Sequence, residues 1–159
     1  MVGRDYDTGL HAIRHGLELN PGSGFVAFLS STALLMAGYP DESLTQAERA
    51  MALSPMDPGA FMFLTIAALA NLGLGRAKKA LELATRSAAL YPDWDSIYWA
   101  LVPANILLER PAEARTALAK LVALSPGLTI SSLRTRLPIK DPDFLTMILE
   151  GFRKAGLPE

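Results

Sequence analysis

The chain contains no cysteine and few charged residues. Of its 159 residues, 19% are charged and 50% are hydrophobic, and the formal net charge is −1. Without cysteine there are no disulfides and no thiolate metal sites, which fits a reducing compartment. Recognition of nucleic acid needs a basic excess to meet the phosphates, and this chain has none. The composition therefore predicts a globular, cytoplasmic protein that does not bind nucleic acid.

Two long stretches contain no charge and must be weighed as membrane spans. Residues 21–40 and 58–75 lack Asp, Glu, Lys and Arg, and each approaches the roughly 20 apolar residues that a bilayer requires. The first stretch is interrupted by glycine, serine and threonine, and the second ends in Asn-Leu-Gly-Leu-Gly. Both occupy the same place in an internal repeat. We therefore interpret them as buried helices and expect no membrane insertion.

The repeat ends four times in Leu-x-Pro. The prolines, Pro21, Pro55, Pro92 and Pro126, are 34, 37 and 34 residues apart. Twelve residues before each proline stands a small residue, and these are Gly9, Ser43, Ala80 and Ala114. Seventeen residues before the last three prolines stand Gly38, Gly75 and Glu109. Small residues at fixed distances allow two helices to approach closely, and a glycine between them supplies a left-handed stop.

This pattern resembles the tetratricopeptide repeat (TPR), a helix–turn–helix unit of 34 residues. The resemblance implies an all-α, right-handed helical solenoid of about three helix pairs, preceded by a half-repeat and followed by a helical cap. The array is expected over residues 1–126, with the half-repeat at 4–21, repeats at 24–55, 59–92 and 95–126, and the cap at 127–159. The expected repeat helices span residues 5–19, 24–37, 41–53, 59–73, 77–90, 95–108 and 112–124.

Two proline-containing segments depart from this pattern. The three extra residues of the longer interval are assigned to the loop Ser-Pro-Met-Asp-Pro-Gly-Ala, residues 54–60. Pro103 falls inside a first helix and cannot donate to the carbonyl of Trp99, so we expect a kink there.

The residues after Pro126 predict two helices that cover the last repeat. Their apolar positions are Leu133, Leu137, Phe144, Ile148 and Phe152, and a solenoid needs such an element over its final hydrophobic face. The tail contains Pro-Gly-Leu-Thr-Ile-Ser-Ser-Leu-Arg-Thr-Arg-Leu-Pro at residues 126–138 and Gly-Phe-Arg-Lys-Ala-Gly-Leu-Pro-Glu at residues 151–159. With these runs it also resembles the carboxyl end of bacterial signalling proteins. In those proteins a TPR array follows a class III adenylate or guanylate cyclase domain, or a winged-helix transcription-regulator domain.

The helix expected at residues 5–19 corresponds to the second helix of a repeat, and the first helix of that repeat is missing from the sequence. An unpaired second helix leaves an apolar side uncovered. We therefore expect the array to continue upstream in a longer parent protein.

No group of residues predicts catalysis, a metal or a cofactor. His11 and His15 are four residues apart on one helix and could share a face, but a zinc site needs at least a third ligand with second-shell support. The nearby acids are ordinary solvated residues. We predict a structural or surface role for both histidines and no metal binding.

The first helices of the three pairs, 24–37, 59–73 and 96–108, carry no charged residue. First helices line the concave face of TPR folds, so the resemblance implies a groove without charges. Its expected walls are Phe25, Phe28, Thr32, Met62, Thr65, Leu69, Trp99 and Pro103. TPR domains that clamp the terminal carboxylate of chaperones place Lys, Arg and Asn in this groove. Phe28, Thr32 and Leu69 stand at matching positions here, so that clamp is not expected.

Such a groove favours an amphipathic helix or an extended apolar peptide. The sequence thus predicts a non-catalytic protein–protein interaction module. The partner could be another protein, the upstream domains of the parent, or a second copy of the chain. A purely structural role in homodimerisation is the alternative.

Overall fold

The computed structural model describes residues 5–159, and these residues are organised as helices and short connections. The helices are α1 (Tyr6–Leu19), α2 (Gly24–Met36), α3 (Pro40–Leu53), α4 (Ala60–Gly73), α5 (Ala77–Leu90), α6 (Tyr98–Leu107), α7 (Pro111–Leu124), α8 (Ile130–Arg136) and α9 (Pro142–Ala155). The expected all-α, TPR-like solenoid is confirmed. The expected starts at residues 1 and 4 lie outside the described residues.

The helices pack as the repeat predicts, with α2 against α3, α4 against α5 and α6 against α7. Small side chains permit the close approach, since Ala27, Ala47 and Ala50 are fully buried. The Ser31 hydroxyl also donates to the Ser43 carbonyl at 2.7 Å across the first pair. This bond satisfies a buried polar group that would otherwise destabilise the interface.

Two residues after the last residue of each first helix stands a residue with a left-handed backbone. Gly38, Gly75 and Glu109 have φ values of 93°, 74° and 57°. After the two glycines, the Tyr39 and Arg76 amides donate back to carbonyls of the last helical turn at 2.9 and 2.8 Å. The predicted stops are therefore Schellman-type caps, which turn the chain into its second helix.

The third pair departs from the pattern at its start. A short 3-10 turn, Asp95–Ile97, precedes α6, and α6 is continuous through Pro103. The longer loop between α3 and α4 carries the extra residues, and Met56 at its tip is 91% exposed.

The tail after α7 turns back over the repeats. α9 packs on α6 and also contacts α7 and α8. Its apolar side chains Phe144, Ile148 and Phe152 are buried in one cluster with side chains of α4 and α6. Because the tail shares this core with the repeats, the boundary at residue 126 stays a prediction.

The segment before α9 reaches as far as the first two helices. The Lys140 amide donates to the Met36 carbonyl at 2.8 Å, and the Tyr6 hydroxyl donates to the Pro138 carbonyl at 2.9 Å. The Lys140 ammonium also lies 5.6 Å from the centre of the Tyr6 ring. Residues 138–140, called the strap below, thereby join the segment before α9 to α1 and α2.

No helix within residues 5–159 is long and apolar enough to cross a bilayer.

Candidate functional site

An apolar groove lies between α2, α4 and the start of α6. Its volume is about 100 Å³. The lining residues are Phe28, Thr32, Met36, Met62, Thr65, Ile66, Leu69, Trp94, Ser96 and Trp99. The groove thus has room for little more than one apolar side chain.

Six of the eight residues expected as walls line this groove. They are Phe28, Thr32, Met62, Thr65, Leu69 and Trp99. Phe28, Met62 and Trp99 are partly exposed, whereas Thr65 and Leu69 are 4% and 3% exposed and form the floor. The side chains of Phe28, Met62 and Trp99 are therefore accessible to a ligand.

The other two expected residues lie elsewhere. Phe25 is 56% exposed and is not among the lining residues, although its ring centre lies 6.2 Å from that of Phe28. Pro103 is buried beneath α9, where it lies against Gly151; a Cβ placed on Gly151 would come within 2.8 Å of the proline backbone. The tail therefore covers the surface of α6 around Pro103.

The hydroxyl groups at the groove are occupied by internal hydrogen bonds. Thr32 Oγ1 donates to the Phe28 carbonyl at 3.1 Å, and Thr65 Oγ1 donates to the Phe61 carbonyl at 2.8 Å. The Ser96 hydroxyl donates to the Asp95 carboxylate at 3.2 Å. Recognition in the groove is therefore left mainly to apolar contact.

Aromatic rings hold one side of the groove in place. The Phe28 and Phe63 ring centres are 5.5 Å apart. Trp94 meets Phe61 edge to face at 5.4 Å, and Phe61 stacks on Tyr91 at 4.8 Å. Such pairs contribute roughly 0.5–1.5 kcal/mol beyond the burial of their area. The groove wall is thus preformed by ring packing.

Sequence reasoning missed Met36, Ile66, Trp94 and Ser96. Met36 and Ile66 follow Thr32 and Met62 by four residues, so helical spacing could have found them. Trp94 precedes the first turn of its helix pair, and its position depends on the conformation of a loop. Its Nε1 is buried without a hydrogen-bond partner in the structure.

The lining of the groove is uncharged, although the Asp95 carboxylate accepts the hydrogen bond of Ser96 at its edge. None of its ten described lining residues is charged. Within the described chain, no three His, Cys, Asp or Glu residues are grouped to hold a metal ion. The two histidines are exposed on α1, and His15 lies 3.7 Å from Glu18.

A larger and more open depression of about 660 Å³ lies between α5 and α7. Its counterpart one repeat earlier, between α3 and α5, measures about 350 Å³. Ala88 and Ala117 line the larger depression where Met51 and Leu83 line the smaller one. The smaller side chains at equivalent repeat positions account for much of the difference in volume. The depression is therefore a wider gap between two second helices of the array.

Burial raises the pKa of Tyr98, which also borders this depression. Its hydroxyl donates to the Pro92 carbonyl at 2.8 Å. The side chain thus secures the loop in front of α6.

Comparison with known proteins gives matches among solved structures alone. No protein-family model and no curated protein matches the sequence. MamA matches with a TM-score of 0.67 and 18% identity over 95% of this chain and 86% of its own. PilW, a widely conserved type IV pilus biogenesis factor, matches with a TM-score of 0.68 and 18% identity, over 91% of this chain and 63% of its own.

A thermophilic TPR protein of Thermus thermophilus gives a TM-score of 0.64 and 21% identity, over 94% of this chain and 81% of its own. At this level of identity the likeness shows the fold alone. The fold of this chain is that of a TPR domain.

Proposed function

We propose that the protein is a non-catalytic interaction module that holds an apolar or amphipathic segment of a partner protein in the groove. The observation that carries the proposal is the combination of an uncharged lining with partly exposed Phe28, Met62 and Trp99 around a preformed slot. Buried aromatic anchors dominate the binding energy of most protein interfaces. A helix or an extended peptide would insert one apolar side chain between these three residues.

Tryptophan fluorescence can report binding at this site. It has two tryptophans, and both Trp94 and Trp99 line the groove. Entry of an apolar side chain removes water from the indole rings, so tryptophan emission should shift when a leucine-rich amphipathic peptide is titrated in. We expect Trp99→Ala to weaken binding by about 30-fold, which corresponds to a loss of about 2 kcal/mol at an interface hot spot.

Phe28→Lys is the sharper variant because it brings a charge into an apolar contact that has no counterion. Met56→Lys is the matched control, since Met56 is exposed on a distant loop. A Phe28→Lys protein that keeps its helical signal and binds the peptide with unchanged affinity would remove the groove as the functional surface. Light scattering on the same samples tests self-association: a dimer that Phe28→Lys dissociates would make a second copy the occupant.

The wider context is proposed from the tail alone, through its resemblance to TPR regions of bacterial cyclases and winged-helix regulators. In such a setting the module belongs to a larger cytoplasmic signalling protein and holds either an outside protein or a domain of its parent. The full reading frame provides the test. A frame without a cyclase or winged-helix domain would contradict this context while leaving the groove proposal intact.

A further inference from the structure

We propose that the depression between α5 and α7 is a second binding site, which holds an extended peptide segment with an acidic side chain. The segment donates a backbone N–H to the Asn105 side chain, places an apolar side chain between α5 and α7, and pairs its carboxylate with Arg110. Asn105 and Arg110 both line the depression. The inference does not depend on the groove, because the two sites share no lining residue.

Asn105 presents a hydrogen-bond acceptor at the floor of the depression. The residue is 5% exposed, and its Nδ2 donates to the Leu101 carbonyl at 2.9 Å. That bond orients the amide, while Oδ1 receives no hydrogen bond from residues 5–159 and stays within reach of solvent. Polar groups of buried side chains are normally paired. A donor from a ligand can therefore replace water at this oxygen.

The same arrangement occurs one repeat earlier. Asn71, 34 residues before Asn105, is 2% exposed and donates to the Ala67 carbonyl at 2.8 Å. Arg76, 34 residues before Arg110, lines the smaller depression together with Asn71. A buried asparagine followed by an arginine five residues later is thus a feature of the repeat. The later depression measures about 660 Å³ and the earlier one about 350 Å³, so the peptide is assigned to the later one.

The charges beside the depression favour an acidic partner. The charged residues of its lining are Arg110, Glu113 and Lys120. Lys120 lies 3.2 Å from the Asp93 carboxylate, whereas the Arg110 side chain has no hydrogen bond or ion pair in the described part of the chain. Lys78 adds a cation on the same face of α5, one turn before the lining begins. A guanidinium without an internal partner is free to bind a carboxylate through two parallel hydrogen bonds.

The dimensions and the free acceptor favour an extended segment over a helix. Arg110 and Lys120 mark the two ends of the lining on α7 and are separated by about 15 Å of helix. About five extended residues cover this length. Inside a helix the backbone N–H groups are already bonded, whereas an extended segment has N–H groups free for Asn105. Ala88, Leu101 and Ala117 leave space for one apolar side chain of the peptide.

The first experiment is a selection from a phage-displayed library of random heptapeptides. The bait is the full chain with Phe28→Lys, which removes binding in the groove. Phage that also bind the same bait carrying Asn105→Leu and Arg110→Ala are discarded. We expect the remaining peptides to share Asp or Glu within three residues of Leu, Ile or Val. No enrichment after this subtraction would overturn the proposal, and so would selected peptides without an acid.

The second experiment measures the affinity of one selected peptide by calorimetry. Asn105→Leu and Arg110→Glu should each weaken binding at least tenfold. Asn71→Leu is the matched control in the smaller depression and should leave the affinity unchanged. Thermal unfolding of both asparagine variants verifies their fold.

Charge reversal separates recognition from a loss of structure. Arg110 is exposed, and Arg110→Glu should bind the peptide whose acid is replaced by lysine at least tenfold more tightly than the unaltered chain does. Affinity that Arg110→Glu leaves unchanged, or an equal loss with Asn71→Leu and Asn105→Leu, would refute the assignment.

Discussion

At the scale of single residues, the three equivalent helix stops are unequal in conformational cost. Gly38 and Gly75 adopt left-handed φ without a Cβ, whereas Glu109 adopts φ 57° with one. A non-glycine residue in this region costs roughly 1–2 kcal/mol, partly offset by the greater unfolded-state freedom of glycine. We expect Glu109→Gly to raise the free energy of unfolding by about 0.5–1 kcal/mol in urea titrations. Gly75→Ala should lower it by a similar amount. Changes of the same sign for the two substitutions would refute the argument.

Two helical glycines should respond to alanine with opposite signs. A Cβ on Gly151 would lie 2.7 Å from the Cβ and 2.8 Å from the Cα of Pro103. Because the second contact is with backbone, α6 cannot relieve the clash by moving a side chain alone. Overpacking of this kind typically costs 1–3 kcal/mol. Gly9 faces open space, so Gly9→Ala should stabilise α1 by up to about 1 kcal/mol through helix propensity. Thermal unfolding of the two variants measures both signs, and a stabilising Gly151→Ala would show that α9 sits less tightly on α6 than described.

At the scale of elements, α9 contributes to the core and does more than shield the last pair. Ile148 is fully buried in the cluster that includes α4 and α6. Ile148→Ala should lower the free energy of unfolding by about 2–5 kcal/mol, as is usual when truncation of a buried aliphatic residue leaves a cavity. Thr146 is exposed on the same helix, so Thr146→Ala should change stability by no more than about 0.5 kcal/mol. Similar midpoints for both variants in urea would show that α9 is only loosely attached.

The sequence predicted the elements well because their signals are local. Leu-x-Pro endings, small residues and uncharged first helices predict the helix pairs. The resemblance to TPR folds pointed to the groove, which six of the eight expected residues line. Pro103 was expected in the groove wall but lies beneath α9, because the helix that covers it comes from far along the chain. Trp94 was missed because a loop carries it, and no periodicity describes a loop. Both differences arise from contacts that the repeat itself does not encode.

At the scale of the whole molecule, the strap should couple α1 to the segment that precedes α9. Tyr6 and Pro138 are 132 residues apart in sequence and share one hydrogen bond. Such a bond contributes roughly 0.5–1.5 kcal/mol. We expect Tyr6→Phe to speed amide hydrogen exchange in α1 by about two- to tenfold and to leave α7 unchanged. Equal acceleration in both helices would indicate a global loss of stability instead.

The strap also has a consequence for the order in which the protein can fold. Most repeat arrays depend on neighbouring contacts, so their early units can become stable while later ones are still unmade. Here Tyr6 and the Met36 carbonyl must wait for residues 138–140, which are synthesised long after α1 and α2. Closing so long a segment of chain slows folding relative to purely local pairing. The first two helices should therefore stay poorly protected in the nascent protein until residues 138–140 have been made and can pack against them.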